Sequence, residues 1–320
     1  MEIAPGIHRL EPYIDKKLVA HHLITGDRAM LIDAGTPDLA REALLPWITE
    51  VLGDPAHLAI ILITHADVDH YGGLAVLQAA CPKTLILAPA RDRRWIENPE
   101  SIFAERYDAY HADHGLTYDA SVTQMLHAWH GPPVPIDIGL LGGEDLRCSE
   151  EVVLQVLQVP GHTPGHLMLW EPQARIAIIG DAINGASQID RAGTWTAPPP
   201  YTDRDLYLAS ISTIQALHPA LLLTGHYPIM RGQEVTTFID ASRNFVLRTD
   251  EMLTSLFQDR KEPLTLARLI ALANPLLGPF AFPPDLEYAL VAHLTWLERT
   301  QRIRRLQRND IVAWEKRGSI

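Results

Sequence analysis

Apolar residues in this chain gather into short runs that stop at polar or glycine-bearing turns. The segment Leu58 to Ile63 reads LAIILI, with no polar interruption, as expected of a strand buried on both faces. Upstream, Gly6 to Leu10, Leu18 to Thr25 and Arg28 to Ile32 predict a strand meander with a tight turn at Gly26-Asp27. Pro37 and Asp38 open a helix that runs to about Leu52 and stops at Gly53. A helix over Tyr71 to Ala80 and a short strand over Thr84 to Leu87 follow. Residues 89–133 lose the strand pattern and take helical spacing, with Trp95, Phe103, Tyr107, Tyr110, Tyr118, Met125 and Trp129 among them. This is a helical insertion, either a wall or lid over a pocket or plain packing of two helices on the body.

Strands resume from Val134 to Val159, with Gly142-Gly143 as a turn, and continue as His166 to Trp170 and Arg175 to Ile179. A helix over Asp203 to Leu217 leads to a strand over Ala220 to Leu223. Short strands followed by strand–helix alternation suit a sheet-on-sheet core covered by helices. From Gly232 the pattern changes to helices over Gly232 to Asp259, Leu264 to Ala273 and Asp285 to Arg299. A hairpin of Ile303–Arg305 and Ile311–Trp314, turning at Arg308-Asn309-Asp310, ends the chain.

Composition narrows the class more than the chemistry. The 320 residues are 47% hydrophobic and 21% charged, ordinary values for a globular protein. The net charge of −12 argues against a nucleic-acid partner, which needs a basic surface. Two cysteines, Cys81 and Cys148, build no disulfide framework, and no signal-peptide pattern or spanning segment is visible, so a cytoplasmic location without membrane contact is expected.

The candidate chemistry sits where the apolar runs stop. Directly after Thr64 come His65, Asp67, Asp69 and His70, four metal-ligand types in one short loop. Such a cluster behind a buried strand is costly to fold without a counter-charge, which two divalent cations would provide. The run Val152 to Val159 delivers Pro160-Gly161-His162-Thr163-Pro164-Gly165-His166. Here His162, at the strand end, is the candidate ligand, and His166, opening the next strand, either supports a ligand from behind or is structural. Arg175 to Ile179 ends in Gly180-Asp181, and Ala220 to Leu223 in Thr224-Gly225-His226. The histidines of the insertion, His111, His114, His127 and His130, share no ligand spacing and read as surface or packing residues.

Four strand ends in this order resemble the metallo-β-lactamase superfamily over roughly residues 1 to 240. The resemblance implies an α/β (α+β) fold, a four-layer αββα sandwich. The implied layout is a catalytic domain over 1–235, with the insertion at 89–133, and a small winged-helix-like appendage over 236–320. By position, His65, Asp67 and His162 fall to one metal, Asp69, His70 and His226 to the other, and Asp181 bridges them. The second loop is most similar to the glyoxalase II and lactonase branches. Asp67 departs from the family pattern, which has histidine there, as His-x-His-x-Asp-His. With two divalent ions and a shared hydroxide, Asp67, Asp69 and Asp181 would bring the charge to about zero, against about +1 for an all-histidine loop. Zinc is the expected metal, with manganese or iron as alternatives because a carboxylate hardens the site.

The expected function is metal-dependent hydrolysis of a carboxylic ester, lactone or thioester by a metal-bridging hydroxide, with Asp181 bridging and Asp69 relaying a proton. Phosphoester or phosphotriester hydrolysis and endoribonuclease activity are the alternatives, and a non-catalytic metal-binding protein is a different class. The expected partner is a small-molecule substrate. Arg299, Arg302, Arg304, Arg305 and Arg308 form a candidate nucleic-acid contact, but Leu286, Leu290, His293, Leu294 and Leu297 repeat at helical spacing and predict a buried face. The appendage is therefore expected to pack on the body or on a second subunit of a homodimer.

Overall fold

The computed structural model describes residues 1–260, 262–308 and 310–317. Its strands begin with β1 (Glu2–Ala4), β2 (Ile7–Leu10), β3 (Tyr13–Ile14), β4 (Lys17–Leu18), β5 (His21–Ile24), β6 (Ala29–Ile32), β7 (Leu58–Leu62), β8 (Leu85–Pro89) and β9 (Ile138–Leu140). They continue with β10 (Asp145–Arg147), β11 (Val153–Gln158), β12 (Leu167–Glu171), β13 (Ile176–Ile178), β14 (Leu221–Leu223) and β15 (Met230–Arg231). The C-terminal strands are β16 (Leu264–Thr265), β17 (Ile303–Arg308) and β18 (Ile311–Lys316). One sheet has the order β1-β2-β5-β6-β7-β8-β9 and the other β10-β11-β12-β13-β14-β15. Strands β6 to β9 are parallel, so each pair needs a crossover. The helical run 37–52, the helix Leu74–Ala80 and the insertion supply the three crossovers.

The unbroken apolar runs have a direct cause. Side chains alternate between two faces of a strand, and here both faces are covered. In β12, Leu167 and Leu169 pack between the sheets, while Met168 and Trp170 pack against outer helices. In β14, Leu221 and Leu223 face inward and Leu222 outward. In β6, Met30 and Ile32 face the other sheet, while Leu31 meets Leu44, Ile48 and Leu77 of the helices on the opposite side. Three apolar layers separated by two sheets make the αββα sandwich.

The turn at Gly142 and Gly143, both at positive φ, lies where the chain passes from β9 in one sheet to β10 in the other. The carboxylate of Glu144 accepts from Leu141 N and Gly142 N and holds that passage. The predicted helix start at Leu264 is instead strand β16, which pairs with β18 and extends the C-terminal hairpin to the order β16-β18-β17. Asn309, placed at the hairpin turn by the sequence, lies outside the described residues.

The C-terminal helices join the body. Leu286, Leu290, His293, Leu294 and Leu297 are all buried. The four leucines share one core with Met168, Trp170 and Leu222 of the second sheet and with Phe238 and Phe245 of the helix Gln233–Asp259. A polar chain crosses this core: Tyr201 Oη bonds His293 Nε2 at 2.7 Å, His293 Nδ1 lies 2.7 Å from Asp250 Oδ1, and Arg204 donates to Asp250. Of the arginines, Arg299 pairs with Asp205, Arg304 with Glu315 and Arg305 with Asp113. No helix among the described residues is long and apolar enough to cross a membrane.

Candidate metal centre

The end of β6 organises the first ligand loop. Asp33 has a positive φ of 64°, a conformation that costs strain for a non-glycine residue. Its carboxylate accepts from Thr64 N at 2.8 Å and from Thr64 Oγ1 at 3.0 Å, which ties the ends of β6 and β7 together. Beyond that tie, Asp67 stands at the cap position of the helix Val68–Tyr71 but makes no capping bond, so its carboxylate is directed elsewhere. Asp92 braces the second loop against the first. It accepts from Thr163 Oγ1 at 2.5 Å, Gly165 N at 2.6 Å and Ala66 N at 3.3 Å.

The seven predicted residues converge at one end of the sandwich. Donor atoms of His65, Asp67 and His162 lie within 4.8 Å of one another, as do those of His65, His70 and Asp181, and those of Asp69, His70 and His226. His162 Nε2 is 2.8 Å from Asp67 Oδ2, and His226 Nε2 is 2.8 Å from Asp181 Oδ2. His70 Nε2 lies 3.4 Å from His226 Nε2 and 3.7 Å from Asp181 Oδ2. Each imidazole is held by its other nitrogen: His65 Nδ1 by Thr64 Oγ1 at 3.0 Å and His70 Nδ1 by Asp33 Oδ2 at 2.9 Å. His162 Nδ1 meets Pro200 O and His226 Nδ1 meets Leu18 O, both at 2.7 Å. A carbonyl accepts only from Nδ1–H, so His162 and His226 present Nε2 lone pairs inward, the arrangement that outer partners impose on metal-binding histidines.

The donor set fits a divalent cation. His65 Nε2 and Asp181 Oδ1 are buried with no hydrogen-bond partner, a costly condition that a cation would relieve. Gly225 leaves the space open: a Cβ there would stand 2.5 Å from Asp181 Oδ1 and 2.8 Å from His70 Cε1. The electrostatics agree. Burial alone would lower the pKa of His70, but Asp33, Asp181 and Asp69 overcome it and raise it to about 10. Burial, with the charge of His70 behind it, lowers His65 to about 4. The anionic field that holds a proton on His70 is the field that would hold a metal.

His166 lies outside the three groups of donors. Its Nε2 accepts from Asp181 N at 3.1 Å, and its ring stacks on His65 with centroids 4.5 Å apart. In the insertion, His111 and His127 are exposed, while His114 stacks on Trp314 and His130 packs against Tyr71. Gly72 allows the insertion to lie on the ligand loop, because a Cβ there would stand 1.7 Å from Trp129 O.

Two cations at the centre escaped the sequence reading. Lys17 Nζ is 2.8 Å from Asp69 Oδ2. Arg106, from the insertion, donates to Asp67 through Nε at 2.5 Å and Nη2 at 2.8 Å. They add two positive charges, so the tally from Asp67, Asp69 and Asp181 no longer closes near zero. Arg106 offsets the charge of Asp67 but leaves its oxygen donors as hard as before. Neither cation lies in a motif; each reaches the centre only through the fold.

A cavity of about 350 Å³ opens on the centre. Its floor includes Asp67, Asp69, Asp181, Lys17 and Arg106. The insertion gives it Val122, Met125, Leu126 and Trp129, and the C-terminal part gives Phe282 and Tyr288. The insertion is therefore a pocket wall as well as a packed layer.

A family profile described as Metallo-beta-lactamase superfamily matches residues 19–226, well over half of the chain and every one of the clustered donors. The chain belongs to the metallo-β-lactamase superfamily. Membership supports a metal-dependent hydrolase. A curated relative, the Bacillus subtilis protein named "Probable metallo-hydrolase YflN", is 26% identical over 240 residues, 72% of this chain and 88% of its own length. Two solved structures show the same fold along nearly the whole chain. The metallo-beta-lactamase family protein TTHA1429 of Thermus thermophilus superposes with a TM-score of 0.76 at 23% identity, covering 99% of this chain and 100% of its own. A beta-lactamase domain protein of Burkholderia ambifaria gives 0.72 at 20% identity, covering 99% and 94%.

Proposed function

We propose that this superfamily member hydrolyses a small carboxylic ester, lactone or thioester at a metal centre held by His65, Asp67, Asp69, His70, His162, Asp181 and His226. The observation that carries the reading is the cavity: an apolar, partly aromatic wall of ligand-sized volume set directly against the donor cluster. A bound divalent ion would supply Lewis acidity and lower the pKa of water toward neutrality. The chain supplies the rest. Asp181, anchored by its backbone N–H to His166, is the donor between the two groups of ligands. Burial would raise the pKa of Asp69, but Lys17 and the histidines His70 and His226 hold it well below the usual carboxylate range. Asp69 thus stays ionised as a donor to the metal and a hydrogen-bond acceptor for water; its low proton affinity makes any relay of a proton to the leaving atom a brief one. Lys17, about one-third exposed, also lines the cavity.

A carboxylic substrate is favoured over a phosphoester because the basic groups lining the cavity, Lys17 and Arg106, are both already paired with carboxylates. The test is a hydrolysis screen of the metal-loaded protein over lactones, thioesters, aryl esters and phosphotriesters. Turnover of one carboxylic class, abolished by Asp181→Asn and by chelation, is the expected result. Turnover confined to phosphotriesters would refute the substrate assignment.

A further inference from the structure

Arg106 sets the two halves of the centre apart. It is 3% exposed, and its guanidinium grips both oxygens of Asp67. Its Nη1 also donates to His162 O at 3.3 Å, so it is tied to the backbone of the second ligand loop. From the C-terminal side the ring of Tyr288 lies 5.3 Å from the guanidinium, and the Tyr288 hydroxyl donates to Arg106 O at 3.3 Å. The Tyr107 hydroxyl gives Asp67 Oδ1 a further donor at 3.3 Å. Asp67 is thus hydrogen-bonded on both oxygens by groups that are themselves fixed.

The other half differs. His65 Nε2 in the first half is unpartnered as well, so the contrast lies in the carboxylates: Asp181 Oδ1 is buried and unpartnered, while both oxygens of Asp67 are taken by Arg106. The cation near Asp69 is a half-buried lysine on a flexible stem that touches one oxygen. A two-pronged guanidinium–carboxylate pair takes up both the charge and the best lone pairs of the carboxylate, so a metal binding Asp67 must break at least one of those bonds. A lysine held by one contact can swing away at small cost.

We propose that Arg106 makes the centre asymmetric: one divalent metal binds tightly through Asp69, His70, Asp181 and His226, and the corner of His65, Asp67 and His162 takes a second only weakly. The inference rests on the metal-ligand reading above and deepens it. Arg106 is a positioning residue, acting through Asp67 on the strength of one corner.

The experiment is a calorimetric zinc titration of the metal-free, full-length protein, with metal content measured after gel filtration against a weak chelator. Wild type should retain one equivalent and take up a second only at higher free zinc. Arg106→Gln removes the charge and keeps one donor; it should tighten the weak class by about tenfold, as freeing one charge-assisted bond on Asp67 would (tenfold is about 1.4 kcal/mol), and leave the tight class alone. Asp67→Asn still offers Arg106 an oxygen but withdraws the anion; the tight class should be unchanged. Two equally tight classes in wild type would overturn the asymmetry while leaving the metal reading standing. Loss of the tight class in Asp67→Asn would overturn it as well, by assigning Asp67 to the strong site. No zinc binding at all would remove the metal reading and the inference with it. A weak class left unchanged in folded Arg106→Gln would overturn the part assigned to Arg106; where that variant fails to fold, Arg106→Lys, which keeps the charge but grips Asp67 less fully, gives the same reading, and the wild-type stoichiometry with Asp67→Asn still tests the asymmetry.

Discussion

Replacing Asp33 with asparagine tests how this centre orients its histidines. Asp33 is 3% exposed, and its two oxygens serve Thr64 N, Thr64 Oγ1 and His70 Nδ1 at 2.8 to 3.0 Å. In Asp33→Asn the amide oxygen can still accept from Thr64. Toward His70 the amide presents N–H, which cannot accept from Nδ1–H. Without metal the His70 ring holds protons on both nitrogens and must give one up to become a ligand; with an amide N–H facing Nδ1, the proton it keeps belongs on Nε2, the atom that lies 3.7 Å from Asp181 and 3.4 Å from His226. A protonated Nε2 has no lone pair for a metal. Zinc affinity should fall by about 10–100-fold, as for other outer partners, which is about 1.4–2.8 kcal/mol. The metal-free fold should lose about 1–2 kcal/mol, since one charge-assisted bond is exchanged for a neutral one. Asp33→Ala is the harsher control, because it leaves a buried amide, a hydroxyl and an imidazole without an acceptor, at a cost of about 3–5 kcal/mol. Zinc titration against a competing chelator reads the first effect, and urea unfolding of metal-free protein reads the second. If Asp33→Asn binds zinc as tightly as wild type while folding normally, then His70 is not a ligand or Asp33 does not set its tautomer.

Gly225→Ala should weaken zinc binding by at least about tenfold with the fold retained, because its Cβ would push into Asp181 Oδ1 and His70 Cε1; chelator competition measures it. Burial, and then the neighbouring charge of Asp285, push the carboxyl of Glu287 up to about 8, so its proton stabilises the fold below the unfolded pKa and that contribution is lost as pH rises through about 8. Glu287→Gln should therefore gain on wild type between pH 5 and 8, by up to about 5 kcal/mol at the plateau, and a stability difference that stays flat across a urea-unfolding pH series would contradict the assignment. With Arg304 paired to Glu315 and Arg305 to Asp113, single-stranded RNA should show no tight, salt-sensitive binding, and tight binding abolished by glutamate at those two positions would reverse the ranking of substrates.

What the sequence determined by itself was the local part of this protein. Apolar runs without polar breaks signalled strands covered on both faces, since a strand with one wet face would alternate. The positions where those runs stop named His65, His162, Asp181 and His226, and the last three meet because β11, β13 and β14 run in one direction within their sheet and so end at a common edge. Helical spacing located the insertion and the buried stripe of Leu286, Leu290, His293, Leu294 and Leu297. Only the tertiary structure decided which charges meet. Arg106 lies 39 residues from Asp67, and Lys17 lies 52 from Asp69. No periodicity links residues so far apart, and an isolated arginine in a helix usually reads as a solvated side chain. Burial makes the difference: inside the cavity the guanidinium of Arg106 has a carboxylate and a carbonyl as partners in place of water, and the charge of the whole centre depends on that exchange.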